Sequence, residues 1–148
     1  MSRLKPPFRK QETTYSCVPA CLRMVLSGFG LDLPEEGLRE LCDCSPLFGT
    51  EAMRAVEAVR GLGFPATAKY TLRYDELRGL VEGGRHPIAY LSLEAIGGTE
   101  ESHAVVVVEA DEETATVYDP LHGERRLSRQ SFTTAWAARH NLVILVER

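Results

Sequence analysis

The sequence lacks several features that would assign it to large classes of protein. It has no excess of positive charge, since 17 Lys and Arg residues stand against 21 Asp and Glu residues, a net charge of -4. Proteins that bind nucleic acid usually carry a basic surface, so no nucleic-acid partner is expected. No apolar run approaches the roughly 20 residues that span a bilayer, and residues 1–10 contain no apolar signal core. We therefore expect a cytoplasmic protein without a direct membrane span.

The sequence is also poor in the features that divide a chain into modules. It contains no internal repeat, no low-complexity tract and no linker rich in Pro, Gly or Ser. Its 44% hydrophobic and 26% charged residues are typical of a globular domain. The basic residues of the first ten positions lie in a short leading segment. We therefore predict a solvated arm over residues 1–10 and a single domain over residues 11–148.

Cysteine is scarce, with four residues at positions 17, 21, 42 and 44. In a reducing compartment such cysteines are thiols, metal ligands or catalysts rather than disulfides. Together they could supply thiolates to Zn²⁺, so a metal-binding or redox module is one hypothesis. Their spacing matches no common zinc motif, however, and Cys21 follows Cys17 by one helical turn, where core packing explains it. We expect no metal and no organic cofactor.

Helical periodicity dominates the first half of the chain. It predicts a helix over residues 17–27 with Ser16 as N-cap, and a short helix from Pro34 with Leu38 and Leu41 facing inward. A third helix is predicted from Thr50, as its cap, to about residue 61.

Strand patterns dominate the second half of the chain. After a strand at 64–70 and a helix at 74–81, strands are predicted at residues 87–93, 104–109, 114–118, 125–127 and 142–146. A short helix holding Phe132 and Trp136 precedes the last strand. Helices first and antiparallel strands later predict an α+β domain, with an N-terminal helical lobe packed on a C-terminal antiparallel sheet.

Four residues, in chain order, could carry acyl-transfer chemistry. Cys17 begins a helix, where the helix dipole and unpaired N–H groups favour a thiolate. The Gln11 amide could join the Cys17 N–H as the second donor of an oxyanion hole. His103 opens the valine-rich strand, and Asp119 ends the strand that returns from it. A carboxylate there can accept a hydrogen bond from the imidazole and fix its tautomer.

Each of these residues also has a plainer explanation. A lone cysteine is most often a small buried hydrophobe, and an aspartate before a proline often begins a turn. The pairing of the two strands is open as well. A hairpin centred on Asp111 would set Asp119 opposite His103, whereas one centred one or two residues later would set His122 there. The combination of the residues in this order is the stronger signal.

This order of residues resembles the bacteriocin-processing cysteine peptidases of the papain-like clan, which cut leader peptides after a double glycine. The resemblance is carried by Gln11 and by the runs at residues 15–20, 103–107 and 117–120. It implies a papain-like fold, with Cys17 as nucleophile, His103 as base, Asp119 as the group that orients the histidine, and Gln11 as oxyanion donor. It also implies a leader-peptide substrate and an exporter as partner.

The sequence departs from this family directly after the proposed nucleophile. It also leaves other functions open. Val18 stands where many relatives have glycine after the cysteine, and a larger side chain there would narrow the cleft. A non-cleaving domain that binds leader peptides, and a transglutaminase or acyltransferase, could share the fold or the triad. The loop over residues 94–102, with its Gly97-Gly98 pair, is expected to form a mobile rim of the cleft.

Overall fold

The computed structural model of the protein describes residues 5–47, 49–96 and 102–148. Within these residues the helices are α1 (Cys17–Gly28), α2 (Glu35–Leu41), α3 (Ala52–Gly61), α4 (Tyr74–Glu82) and α5 (Arg129–Ala137). The strands are β1 (Ala68–Thr71), β2 (Ile88–Ser92), β3 (Ser102–Ala110), β4 (Thr114–Asp119), β5 (Gly123–Ser128) and β6 (Leu142–Leu145). A 3-10 turn, Leu93–Ile96, follows β2.

The strands form a single sheet in the order β1-β6-β2-β3-β4-β5, and every neighbouring pair is antiparallel. Helices α1, α2 and α3 bury their apolar side chains in one hydrophobic cluster with one face of the sheet. This arrangement confirms the predicted α+β fold with a helical lobe on an antiparallel sheet. Helices α4 and α5 cover the opposite face, so the central strands of the sheet are buried on both sides, whereas the edge strands β1 and β5 are largely exposed.

The valine run of β3 explains why the sheet needs two layers of helices. Side chains alternate between the faces of a strand, so consecutive valines point in opposite directions. Val106 and Val108 lie in the cluster under α1, whereas Val105 and Val107 lie in the cluster under α4 and α5. All four are buried, as expected for a strand without a polar face. Strand β3, whose second residue is His103, is therefore held from both sides.

Several predicted details are corrected by the structure. Helix α3 begins after Glu51 as its N-cap, not after Thr50, which is buried in front of the helix. Ser16 does occupy the N-cap position of α1, but its hydroxyl makes no cap bond and accepts the Thr13 N–H instead. The strand predicted at residues 64–70 is only Ala68–Thr71, because residues 64–67 form a turn closed by the Thr67 N–H.

Leu38 and Leu41 differ in burial although both were predicted to face inward. Leu38 is fully buried in the cluster under α1, whereas Leu41 is 52% exposed. Helix α2 ends at Leu41, and the buried Cys42, four residues after Leu38, takes the next inward position. The prediction for Leu41 was wrong because the helix is only seven residues long.

The leading segment is in closer contact with the domain than a solvated arm would be. Pro6 is buried, and the Phe8 ring packs edge-on against the Tyr118 ring, with centroids 5.8 Å apart. Lys5 forms an ion pair with Glu109. The prediction of a solvated arm is therefore wrong for Pro6 and Phe8. Burying their apolar side chains against the domain removes apolar surface from water, which is favourable. Among the described residues, no helix has the length and apolar character to cross a bilayer.

The two leucines of α2 provide a matched test of the packing. We expect Leu38→Ala to lower the free energy of unfolding by about 2–5 kcal/mol, because it leaves a cavity in a buried cluster. Leu41→Ala should change it by no more than about 0.5 kcal/mol, as is usual at exposed positions. Urea unfolding of both variants measures the difference. Equal losses would contradict the burial described for α2.

Candidate active site

The first turn of α1 lies in the wall of a cleft of about 430 Å³. Cys17 is its first residue, half-buried, and lines the cleft together with Val18 and His103. The first helical hydrogen bond runs from the Ala20 N–H to the Ser16 carbonyl, so the N–H groups before it have no acceptor within the helix. Since Pro19 has no N–H, those of Cys17 and Val18 are the donors at this helix end.

His103 and Asp119 form a short buried hydrogen bond beside Cys17. The His103 Nε2 and the Asp119 Oδ1 are 2.6 Å apart, and both side chains are buried. With Nε2 engaged in this way, Nδ1 is the ring nitrogen that remains for a second partner. The Cys17 side chain lies close enough to the ring to raise the pKa of His103. The predicted nucleophile, base and orienting carboxylate therefore meet at one point.

The carboxylate of Asp119 is held by its own turn as well as by the histidine. The backbone N–H groups of Leu121 and His122 donate to the same Oδ1, at 2.9 and 3.2 Å. The other oxygen, Oδ2, lies 3.5 Å from Nη1 of Arg125 on β5. Asp119 is thus fixed in position by His103 on β3, by Arg125 on β5 and by the turn that joins β4 to β5.

The pKa values of the pair shift in opposite directions. Burial disfavours the imidazolium, but the hydrogen bonds to Asp119 and Cys17, and the charges of both, outweigh it and raise the pKa of His103 to about 9. Burial alone would raise the pKa of Asp119, because it disfavours the carboxylate. The hydrogen bond and charge of His103, together with two backbone N–H groups, outweigh burial and hold this pKa below its ordinary value. The site thus favours an imidazolium beside a carboxylate.

The pairing of β3 and β4 settles the open question of the hairpin. Val106 lies opposite Tyr118, and a register shift falls between Val107 and Glu109. The hairpin is therefore centred between Glu112 and Glu113, one to two residues after Asp111, and His103 and Asp119 meet diagonally rather than as direct partners. His122 does not replace Asp119; its side chain is exposed and only its N–H contacts the carboxylate.

Gln11 lies in the same cleft wall as Cys17. Its backbone N–H donates to the Pro120 carbonyl at 2.8 Å, which ties it to the turn after Asp119. Its side-chain Nε2 donates to the Thr13 carbonyl at 2.7 Å. An amide nitrogen carries two N–H groups, and this bond uses one of them. A second N–H thus remains at the cleft.

Three further side chains belong to the surroundings of the site, and nothing in the sequence pattern selects them. Tyr90 lines the cleft, and its buried hydroxyl has no hydrogen-bond partner among the described residues. Arg125 contacts Asp119, and the buried Glu35 contacts the segment before Cys17. A tyrosine in a strand, an arginine in an edge strand and a glutamate in the first turn of a helix are all ordinary in sequence. Only the tertiary structure brings them to the site.

The other cysteines do not support a metal or redox module. Cys21 and Cys42 are fully buried in the hydrophobic cluster, and burial raises the pKa of both thiols. Cys44 is half-buried, with its Sγ 3.6 Å from the Tyr15 carbonyl oxygen, and all four cysteines are free. Within the described ranges, no group of three or more His, Cys, Asp or Glu side chains could hold a metal ion. The described residues therefore give no support to a four-cysteine metal site.

The loop predicted as a mobile rim lies largely outside the described residues, which omit 97–101. Its two flanks are described. Leu93 begins the 3-10 turn, Ser102 begins β3, and both line the cleft. The loop thus starts and ends at the cleft.

A cysteine at a helix start, beside a histidine and a carboxylate on adjacent antiparallel strands, is the arrangement of papain-like cysteine peptidases, and this chain is an enzyme of that class. Over residues 5–148 it matches the Peptidase C39 family, and it belongs to that family. The resemblance to peptidases specific for double-glycine leaders is confirmed at this level.

Three known proteins show how far the similarity extends. An uncharacterized protein of Methanothermobacter marburgensis is 30% identical over 139 residues, which cover 94% of this chain and 87% of that protein. The peptidase domain of Streptococcus ComA, a bi-functional ABC transporter of a quorum-sensing pathway, is 26% identical with a TM-score of 0.80 and covers 98% of this chain and 100% of its own. A double glycine motif protease from an AMS/PCAT transporter, in complex with the leader peptide, is 20% identical with a TM-score of 0.79 and covers 99% and 95%.

The charge state of His103 can be tested directly. We expect its ring to titrate near pH 9 and to titrate at lower pH in Asp119→Asn, because the variant removes the negative partner of the imidazolium. NMR titration of the histidine ring protons measures both values, with Asp75→Asn, an exposed aspartate, as control. A ring that titrates at its ordinary value in the unmodified protein would contradict the pairing.

The same shift predicts how stability depends on pH. The folded-state pKa of His103 is raised above 6.5, the value in the unfolded chain. Its contribution to the free energy of unfolding is therefore complete below pH 6.5 and is lost as the pH rises through about 9. The difference in unfolding free energy between the unmodified protein and His103→Gln should therefore shrink over this window. Urea unfolding at pH 6, 7.5 and 9.5 measures it, and a difference that grows with pH would refute the assignment.

Proposed function

We propose that this peptidase cleaves peptide bonds by thiolate attack and a thioester acyl-enzyme, with Cys17 as nucleophile, His103 as general base and acid, Asp119 as the orienting carboxylate and Gln11 as an oxyanion donor. The observation that carries the proposal is the buried 2.6 Å hydrogen bond between His103 and Asp119 in the cleft lined by Cys17. Such a pair stabilises the imidazolium that must accompany a thiolate.

The first half of the reaction forms the acyl-enzyme. The Cys17 Sγ, its proton held by His103, attacks the carbonyl carbon of the scissile bond, and the carbonyl electron pair moves to oxygen. The N–H of Cys17 and the free amide N–H of Gln11 are the donors for this oxyanion. The tetrahedral intermediate then collapses, the C–N bond breaks, and His103 gives its proton to the leaving amine.

The second half releases the acyl group. His103, now neutral, takes a proton from water as the oxygen attacks the thioester carbonyl, and the C–S bond breaks to restore the Cys17 thiolate beside the protonated His103. Asp119 stays ionised throughout, since its pKa lies below its ordinary value, and it stabilises each imidazolium state. No step requires a group from outside the chain other than substrate and water.

The substrate we propose is a leader peptide cut after a Gly-Gly-type site. Val18 and Tyr90 line the cleft next to Cys17, so bulky side chains stand where the residues beside the scissile bond must lie. A substrate residue without a side chain would meet the least steric resistance there. The double-glycine specificity and the bound leader peptide named for one similar structure support the same substrate class.

An exporter partner and a cytoplasmic location complete the proposal. Two of the similar structures are peptidase domains of transporters by name, which supports an exporter as the partner of this chain. A reducing compartment would keep Cys17 as a thiol and so keep the enzyme active.

Substitutions of the proposed nucleophile, Cys17, and of the proposed oxyanion donor, Gln11, test the mechanism. Cys17→Ala should abolish cleavage with the fold retained, and Gln11→Ala should lower kcat by about 10²-fold, because one oxyanion donor is lost. Cys44→Ala, which removes a half-buried thiol nearby, is the matched control and should remain active. Turnover by Cys17→Ala would exclude the mechanism.

Cleavage of a peptide library with Gly-Gly, Gly-Ala and unrelated sites tests the substrate class. We expect kcat/KM to be highest for Gly-Gly and lower for Gly-Ala, since one methyl group must then enter the cleft. Product masses identify the bond that is cut. Equal cleavage at unrelated sites would overturn the specificity, and binding of leader peptides without cleavage would favour the non-cleaving alternative.

A further inference from the structure

Glu35 is a buried carboxylate that the mechanism above does not use. It begins α2 and is only 1% exposed, an unusual position for a glutamate. Its neighbour Glu36, on the same helix turn, is exposed. A buried charge is costly unless it is paired and hydrogen-bonded, so the partners of Glu35 show what it holds.

The partners of Glu35 lie on the segment that joins Gln11 to Cys17. The backbone N–H of Glu12 donates to both carboxylate oxygens, at 3.0 and 3.2 Å. The hydroxyl of Ser16, fully buried directly before Cys17, donates to the Thr13 carbonyl of the same segment at 3.3 Å. Glu35 thus holds the residue that directly follows the proposed oxyanion donor.

The rest of the segment is folded onto the same point. The Ser16 hydroxyl accepts the Thr13 N–H at 3.1 Å, and the Thr13 carbonyl accepts the Gln11 amide at 2.7 Å. Hydrogen bonds therefore join Ser16, Thr13 and the side chain of Gln11 within the segment that Glu35 holds at the Glu12 N–H. A shift of the carboxylate would move the segment that carries the amide.

Arg39 supplies the positive charge that Glu35 needs. Its Nε lies 3.2 Å from a Glu35 oxygen, one helical turn along α2, and its Nη2 lies 3.4 Å from the Glu12 carboxylate. Burial raises the pKa of Glu35, whereas the Glu12 N–H, the Ser16 hydroxyl and Arg39 oppose that shift. The guanidinium thus ties the carboxylate of α2 and the segment before α1 together.

We propose that Glu35 is a positioning residue that holds residues 11–16 so that the amide of Gln11 and the N–H of Cys17 converge on the oxyanion. The proposal rests on the proposed acyl-transfer function. It separates two parts of the site, because Glu35 acts on the oxyanion donors, while the reactivity of the thiolate depends on His103 and Asp119.

Kinetics of Glu35→Gln against Glu36→Gln tests this separation. Glu35→Gln should lower kcat about tenfold with KM changed less than about twofold, because a small displacement of an oxyanion donor weakens only transition-state binding. Alkylation of Cys17 by iodoacetamide, which forms no oxyanion, should keep its rate in both variants. Glu36→Gln should match the unmodified protein in both assays. An equal loss of alkylation and hydrolysis in Glu35→Gln would overturn the proposal.

A double-mutant cycle shows whether Glu35 acts through Gln11. In a Gln11→Ala background, Glu35→Gln should cost much less than tenfold, since the group that it positions is already absent. Losses that multiply fully would overturn the proposal. If Glu35→Gln does not fold, as judged by its Tm, Arg39→Gln takes its place. Arg39 is partly exposed, and its replacement removes the positive charge beside the Glu35 carboxylate. The loss of kcat in this variant should be smaller and should depend on Gln11 in the same way.

Amide hydrogen exchange gives a readout that needs no catalysis. The N–H groups of residues 12–16 should exchange faster in Glu35→Gln than in Glu36→Gln, while those of β3 stay unchanged. Faster exchange without peptidase activity in the unmodified protein would mean that the proposed function fails and the positioning contact stands. Unchanged exchange would mean that Glu35 does not hold the segment.

Discussion

The site depends on one buried interaction, the hydrogen bond between the imidazole of His103 and the carboxylate of Asp119. Two ionisable groups out of contact with water are stable only where their geometry is good and their remaining hydrogen bonds are made. Here the 2.6 Å contact and two backbone donors in the turn after β4 satisfy Oδ1, and the charge of Arg125 lies 3.5 Å from Oδ2, which has no hydrogen-bond partner among the described residues. The turn at residues 119–122 is therefore part of the site, and it also receives the backbone N–H of Gln11 through Pro120.

The sheet is built to hold that interaction still. Strand β3 is buried on both faces, and strand β4 is paired along its length with β5. A histidine at the start of such a strand has little freedom of backbone movement. The N-terminal segment carries the opposite half of the site, and its position depends on polar contacts with α2 rather than on strand pairing. The two halves are thus held by different kinds of interaction.

Much of this fold could be read from periodicity, because burial on one or two faces leaves a direct trace in sequence. The valine run correctly predicted β3, and the order of helices and strands correctly predicted the α+β fold. The register of the β3–β4 hairpin could not be read, since a shift between Val107 and Glu109 changes the pairing without changing the pattern of apolar residues. The burial of Glu35 was equally hidden, because a glutamate in the first turn of a helix is normally explained by the helix dipole.

The distribution of the site along the chain has a consequence for biosynthesis. The sulfur comes from α1 near the beginning, whereas the imidazole and carboxylate come from β3 and β4, more than half the chain later. Helix α1 packs on β3, so the reacting groups meet only after the long-range contacts have formed, and such contacts are the slowest to form because of their loop-closure entropy. A ribosome-bound fragment that ends before β3 carries the proposed nucleophile without its proposed base, so under the proposed mechanism cleavage can begin only after β3 and β4 have been synthesised.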